Sequence, residues 1–127
     1  MKFIIIATLI AAGIIGGTMF LLSDNSIPNT QVVTASVVDG KQIISITAKG
    51  GYAPRSSVAR ADMPTIIRVT TNGTFDCSSA LTIPSIGYRT NLPLSGVTDI
   101  EVSPQKAGTT LRGLCAMGMY TFTIDFQ

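Results

Sequence analysis

Residues 119–126 read MYTFTIDF, and they decide the fold class. Tyr120, Phe122, Ile124 and Phe126 alternate with Thr121, Thr123 and Asp125. A period of two puts the large apolar side chains on one face of a pleated strand and the polar ones on the other. That is the pattern of a strand lying half-buried on a core.

The same pattern recurs toward the N-terminus in short runs: TTLRGL (109–114), VTDIEVS (97–103), SALTIPS (79–85), TIIRVTT (65–71), KQIISITA (41–48) and VVTASVV (32–38). Turn chemistry bounds them. Asp39-Gly40 is a strong hairpin dipeptide. Asn72-Gly73, Met63-Pro64, Pro104 and the stretch GGYAPRSS (50–57) read as further turns. No segment beyond residue 22 sustains a helical period, and no internal repeat is present. Six to eight short strands with a turn signal roughly every ten residues predict an all-β sandwich.

The chain has 127 residues, 46% of them hydrophobic, a share raised by its beginning. Residues 3–22, FIIIATLIAAGIIGGTMFLL, carry no charge. An apolar helix needs about 20 residues to cross a bilayer core. A cleaved signal peptide would have a shorter apolar region and a small-x-small site, which MFLLSDNS (19–26) does not offer. The expectation is therefore an uncleaved single-pass anchor over residues 1–22, a polar tether over 23–31 and one domain over 32–127. Lys2 before the span and Asp24 after it orient the domain to the extracytoplasmic side. Nine lysines and arginines face seven aspartates and glutamates without a basic block, so nucleic acid is not an expected partner.

The chemistry-bearing residues are few. The chain has two cysteines, Cys77 and Cys115, and no histidine. Two cysteines in an exported domain read first as a disulfide. A Cys77–Cys115 bridge would contribute about 3–4 kcal/mol by loop-closure entropy. The neighbours of Cys115 open a second reading. Met117 and Met119 follow it in CAMGM (115–119), and Gly118 between them allows a tight turn. Thiolate and thioether are soft donors that select Cu(I). Structural zinc wants four Cys or His ligands, and a blue-copper centre needs two histidines, so neither suits this chain. Core packing is the plain alternative for the two methionines. No triad, carboxylate pair or phosphate loop is present, so the chain is not expected to be an enzyme. Asp76 reads as a turn residue bonded to backbone. Tyr52, Tyr88 and Arg89 read first as turn and surface residues, with flanking the site or a docking surface as the alternative.

Taken together, GGYAPRSSVARADMPTIIRVTTNGTFDCSSALTIPSIG (50–87), LPLSGVTDIEVSPQKAG (92–108) and CAMGM (115–119) resemble cupredoxin-like domains of copper-export systems. With the apolar start and the absent histidine, the chain is similar to the membrane-anchored, CupA-like Cu(I) chaperones of Gram-positive copper-resistance systems. The resemblance spans residues 43–127. It implies a Greek-key cupredoxin sandwich or barrel. It also implies two Cu(I) ions, with Cys77 and Cys115 forming a buried tight site and Met117 and Met119 capping a weaker one at the surface. It implies a copper-exporting P-type ATPase as the partner. Six residues separate Gly108 from Cys115 where similar domains have five, so a β-bulge at Gly113 is expected to absorb the extra one. Two rival readings stand beside the carrier: a disulfide-stabilised interaction module without metal, and a redox protein with an atypical copper centre.

Overall fold

In the computed structural model, residues 33–127 are described. The expected anchor and tether lie outside them. Among the described residues no helix is long and apolar enough to cross a membrane.

Eleven short strands follow in chain order: β1 (Val33–Thr34), β2 (Ser36–Val38), β3 (Lys41–Ala48), β4 (Tyr52–Ala53), β5 (Ser56–Ala59), β6 (Thr65–Thr71), β7 (Ala80–Ile83), β8 (Tyr88–Asn91), β9 (Gly96–Val102), β10 (Thr110–Cys115) and β11 (Thr121–Phe126). They form two sheets. One has the order β1-β5-β11-β10-β7-β8; the other runs β2-β3-β6-β9 with β4 added on β3. Alternation decides which face of each strand is buried. In β11, Phe122, Ile124 and Phe126 are buried while Thr121, Thr123 and Asp125 are only partly covered. Leu81, Ile83 and Leu111 join them from the same sheet, and Ile44, Ile46, Ile67, Val69, Ile100 and Val102 oppose them from the other. The sandwich predicted from the runs is the fold observed.

The runs over 41–48 and 65–71 are strands over those same residues. They pair in parallel, from Gln42↔Thr65 to Ala48↔Thr71. Parallel neighbours need a long connection. Here β4 and β5 supply it, β4 folding back on β3 and β5 crossing to pair with β11 in the other sheet. Asp39 and Gly40 both take positive φ, 51° and 75°, as a two-residue hairpin between β2 and β3 requires.

Three expectations are corrected. GGYAPRSS is more than a turn: it contains β4 and the start of β5. VVTASVV is not one strand. It switches sheets at Ala35, whose N–H donates to Val58 O, so β1 pairs with β5 and β2 with β3. Gly113 is not in a bulge. The β10–β11 ladder runs unbroken from Thr110↔Asp125 to Leu114↔Thr121, with Gly113 opposite Phe122. The glycine is there for space, because a Cβ at that position would overlap the Phe122 ring.

Candidate metal centre

Cys77 and Cys115 lie 38 residues apart in sequence, yet their Cα atoms are 5.8 Å apart and the two are joined as a disulfide. Cys115 ends β10 opposite Leu81 of β7 and is 0% exposed. Cys77 opens a single 3₁₀ turn, Cys77–Ser79, and packs partly buried against the core.

The turn carrying Cys77 is held from three sides. Asp76 caps it, accepting hydrogen bonds from Ser78 N (2.8 Å), from the Ser78 hydroxyl and from Gly50 N (2.7 Å). Those donors, the Ser78 hydroxyl foremost, hold the Asp76 carboxyl below its ordinary value. The Tyr52 hydroxyl donates to Ser78 O at 3.0 Å, and Leu92 N donates to Ser79 O at 2.7 Å. Upstream, the Thr74 hydroxyl donates to Ala48 O at 2.6 Å, and Thr74 N donates to Leu94 O at 3.0 Å. The backbone-bonded role expected of Asp76 is the one it plays. Replacing Asp76 by alanine is expected to leave the fold intact and loosen this turn. Amide exchange at Gly50 and Ser78 should quicken roughly tenfold, read by hydrogen–deuterium exchange, with Ile67 and Val69 unchanged.

Tyr52 is not a surface residue, the first reading of it; it flanks the Cys77 turn, the alternative. It is buried, with its ring edge-on to Phe122 at 5.2 Å between centroids. Burial, helped by the nearby Asp76 charge, pushes its hydroxyl up to about 12. It therefore stays protonated and keeps donating to Ser78 O. Beside Tyr52, Gly51 takes φ 125°, a backbone conformation that favours glycine, and lies in ordinary contact with the Tyr120 ring. Tyr88 is partly buried, whereas Arg89 is exposed.

Beyond Cys115 the chain makes a tight turn. Gly118, at φ 69°, donates its N–H to Cys115 O at 2.8 Å, and Cys115 N donates to Tyr120 O at 3.0 Å. Tyr120 N donates to the Cys115 sulfur at 3.5 Å, which fixes that sulfur's position. Met117 and Met119 project from this turn, 82% and 71% exposed, so neither fills the core. Phe75, two residues before Cys77, is 85% exposed. A groove of about 430 Å³ runs beside Met119, past Tyr120 and Tyr52, with Lys49 and Arg55 in its wall.

Among the described residues there is no cluster of three or more His, Cys, Asp or Glu side chains. A metal held here would rest on sulfur, and with the Cys77–Cys115 disulfide reduced the donors would fit a soft monovalent ion. The fold brings Cys77 and Cys115 into contact and places Met117 and Met119 on the adjoining turn.

No family model matches the chain, and no curated protein matches it. Solved structures do. The metal-binding domain of the Streptococcus pneumoniae D39 Cu(I)-exporting P-type ATPase CopA, solved with Cu(I), superposes with a TM-score of 0.70. It is 23% identical, over 77% of this chain and 97% of that one. A copper-binding protein solved in solution in its apo form gives 0.69 at 24% identity, over 76% and 97%. Reduced auracyanin from Roseiflexus castenholzii superposes more loosely, at 0.48 and 12% identity, over 72% and 99%. By the first two of these, the fold is an all-β sandwich of a kind found in copper-binding domains.

Proposed function

We propose that this chain is a membrane-anchored, extracytoplasmic Cu(I)-binding protein of the cupredoxin-like class that serves as a copper chaperone. It exchanges Cu(I) with a copper-exporting P-type ATPase through a binuclear Cys/Met site. One observation carries the reading: two cysteines distant in sequence meet at one end of the sandwich, beside a turn that exposes two methionines. The likeness to a Cu(I)-bound domain of an exporting ATPase supports it.

The chemistry suits a carrier. In the reduced chain Cys77 and Cys115 bind as thiolates, strongly, after losing their protons. Thioethers are neutral and bind more weakly, but they do not depend on deprotonation. Copper therefore enters or leaves through Met117 and Met119 and rests on the cysteines, moving by ligand exchange.

Metal stoichiometry of the reduced chain, measured under competition with a Cu(I) chelator, tests this. Two ions per chain are expected. The double replacement Met117→Ile and Met119→Ile should lower the count to one while leaving the tight site unchanged. A count that stays at two would remove the methionines from the site.

The observed disulfide favours one second reading, a cross-linked interaction module without metal. Thiol titration of the anaerobically purified chain separates the two. Two reactive thiols in the absence of added reductant support the carrier, and none, in chain produced without copper, supports the module.

A further inference from the structure

The sulfurs that Cu(I) would need are here bonded to each other. A disulfide has no thiolate, so cross-link and metal are mutually exclusive uses of Cys77 and Cys115. The Cα separation of 5.8 Å lies within the ordinary span of a disulfide. Both backbones are held there by bonds of their own: Cys115 through Tyr120 O and through Ala116 N to Ala80 O, and Cys77 through its capped turn. Bond closure therefore asks for no rearrangement of the sandwich.

Cupric ion is the oxidant that this donor set cannot withstand. A thiolate coexists with Cu(II) where imidazoles hold the metal and one thiolate stands alone, as in blue-copper sites. This chain has no histidine, and its second cysteine is in contact with the first. A first Cu(II) takes one electron from a thiolate, leaving Cu(I) and a thiyl radical. The radical adds to the neighbouring thiolate, giving a disulfide radical anion, which passes its extra electron to a second Cu(II). In sum, two Cu(II) and two cysteine thiols become two Cu(I), one disulfide and two protons released to solvent. The thioethers of Met117 and Met119 take no part and stay exposed as soft ligands for the Cu(I) formed.

We propose that the reduced chain is a stoichiometric cupric reductant: Cys77 and Cys115 together convert two Cu(II) to Cu(I), and the disulfide they form closes the cysteine site to further copper. This rests on the copper-binding reading above and adds a redox gate to it. An external thiol reopens the site by disulfide exchange. Cys115 is fully buried and Cys77 only partly, so the incoming thiolate attacks Cys77 and expels Cys115.

The test uses the full chain in detergent, reduced, freed of reductant and titrated anaerobically with cupric sulfate beside a Cu(I)-selective chromogenic chelator. Two Cu(I) per chain are expected, with loss of both thiols and of two hydrogen masses from the monomer. Pre-oxidised chain should be inert. The Cys77→Ser chain, which lacks the second thiolate in contact, should reduce Cu(II) at least about tenfold more slowly and form no intrachain cross-link. Persistence of both thiols with a stable thiolate-to-Cu(II) absorption band would overturn the proposal, as would equal rates for the single-cysteine chain. A parallel titration of the reduced chain with Cu(I) keeps the two readings apart. Tight Cu(I) binding together with unreduced Cu(II) sinks the reductant and leaves the carrier. Cu(II) reduction without Cu(I) binding sinks the carrier and leaves the reductant.

Discussion

Serine at position 115 is expected to weaken Cu(I) binding by the reduced chain about a thousandfold or more, on the scale of a metal–thiolate bond's contribution. The substitution exchanges one chalcogen for another in a fully buried position, so packing changes little. What changes is donor chemistry. A hydroxyl keeps its proton at neutral pH and is a hard oxygen, whereas Cu(I) prefers soft, anionic sulfur. Tyr120 N donates to the sulfur in the native chain and would donate to the serine oxygen instead, so the turn at 116–119 should survive. Cys77→Ser should have a similar effect, because each cysteine supplies half of the dithiolate. The comparison belongs in reductant, where native and variant alike lack the cross-link and any stability difference reflects packing alone. Affinities are read by chelator competition. A reduced Cys115→Ser chain that binds within tenfold of native would mean that the copper rests elsewhere.

The second large effect is in the core. Phe122→Ala should destabilise the domain by about 3–5 kcal/mol, measured by urea unfolding. Gly113→Ala should cost about 1–3 kcal/mol by overpacking. The two positions face each other across the β10–β11 ladder, and the missing Cβ of Gly113 is filled by the Phe122 ring. Removing the ring opens the space that the new methyl needs. The double variant should therefore be no less stable than Phe122→Ala alone, a coupling of about 1–3 kcal/mol. Strictly additive losses would show that the glycine is not there for the ring. The effect reaches the Cys77 turn too. Phe122 meets the edge of Tyr52, and the Tyr52 hydroxyl bonds Ser78, next to Cys77. A ring displaced by Gly113→Ala should loosen the Cys77 turn, visible as faster amide exchange at Ser78.

The strands that could be read from the chain were those with a strong local signal. β3 and β6 fell on the predicted residues because their Ile, Val and Thr runs are bounded by turn dipeptides. β11 declared its buried face through Phe122, Ile124 and Phe126 at period two, while Tyr120, the first of the alternating residues, precedes the strand and is only partly buried. β4, β5 and β8 carry no such run. Tyr52–Ala53 and Tyr88–Asn91 are mixed or polar, and they are strands because a neighbouring edge offers backbone partners. Gly113 misled for a related reason. Counting residues between Gly108 and Cys115 suggested a bulge, but the count says nothing of what a glycine faces across the sheet.

The donor inventory and the class of the fold are already set by the order of the amino acids. Two cysteines, paired methionines and no histidine limit the metal chemistry before any coordinates exist. Side-chain alternation with glycine- and proline-bounded turns limits the architecture, because strand faces and hairpins are local properties. It takes the folded chain to show that Cys77 and Cys115 touch, that Tyr52 is buried and bonded to the Cys77 turn, and that Gly113 leaves space for Phe122. Those facts depend on which strands become neighbours across 38 residues of chain. Neighbour choice is settled by the packing of two whole sheets against one another, and no stretch of sequence contains that sum.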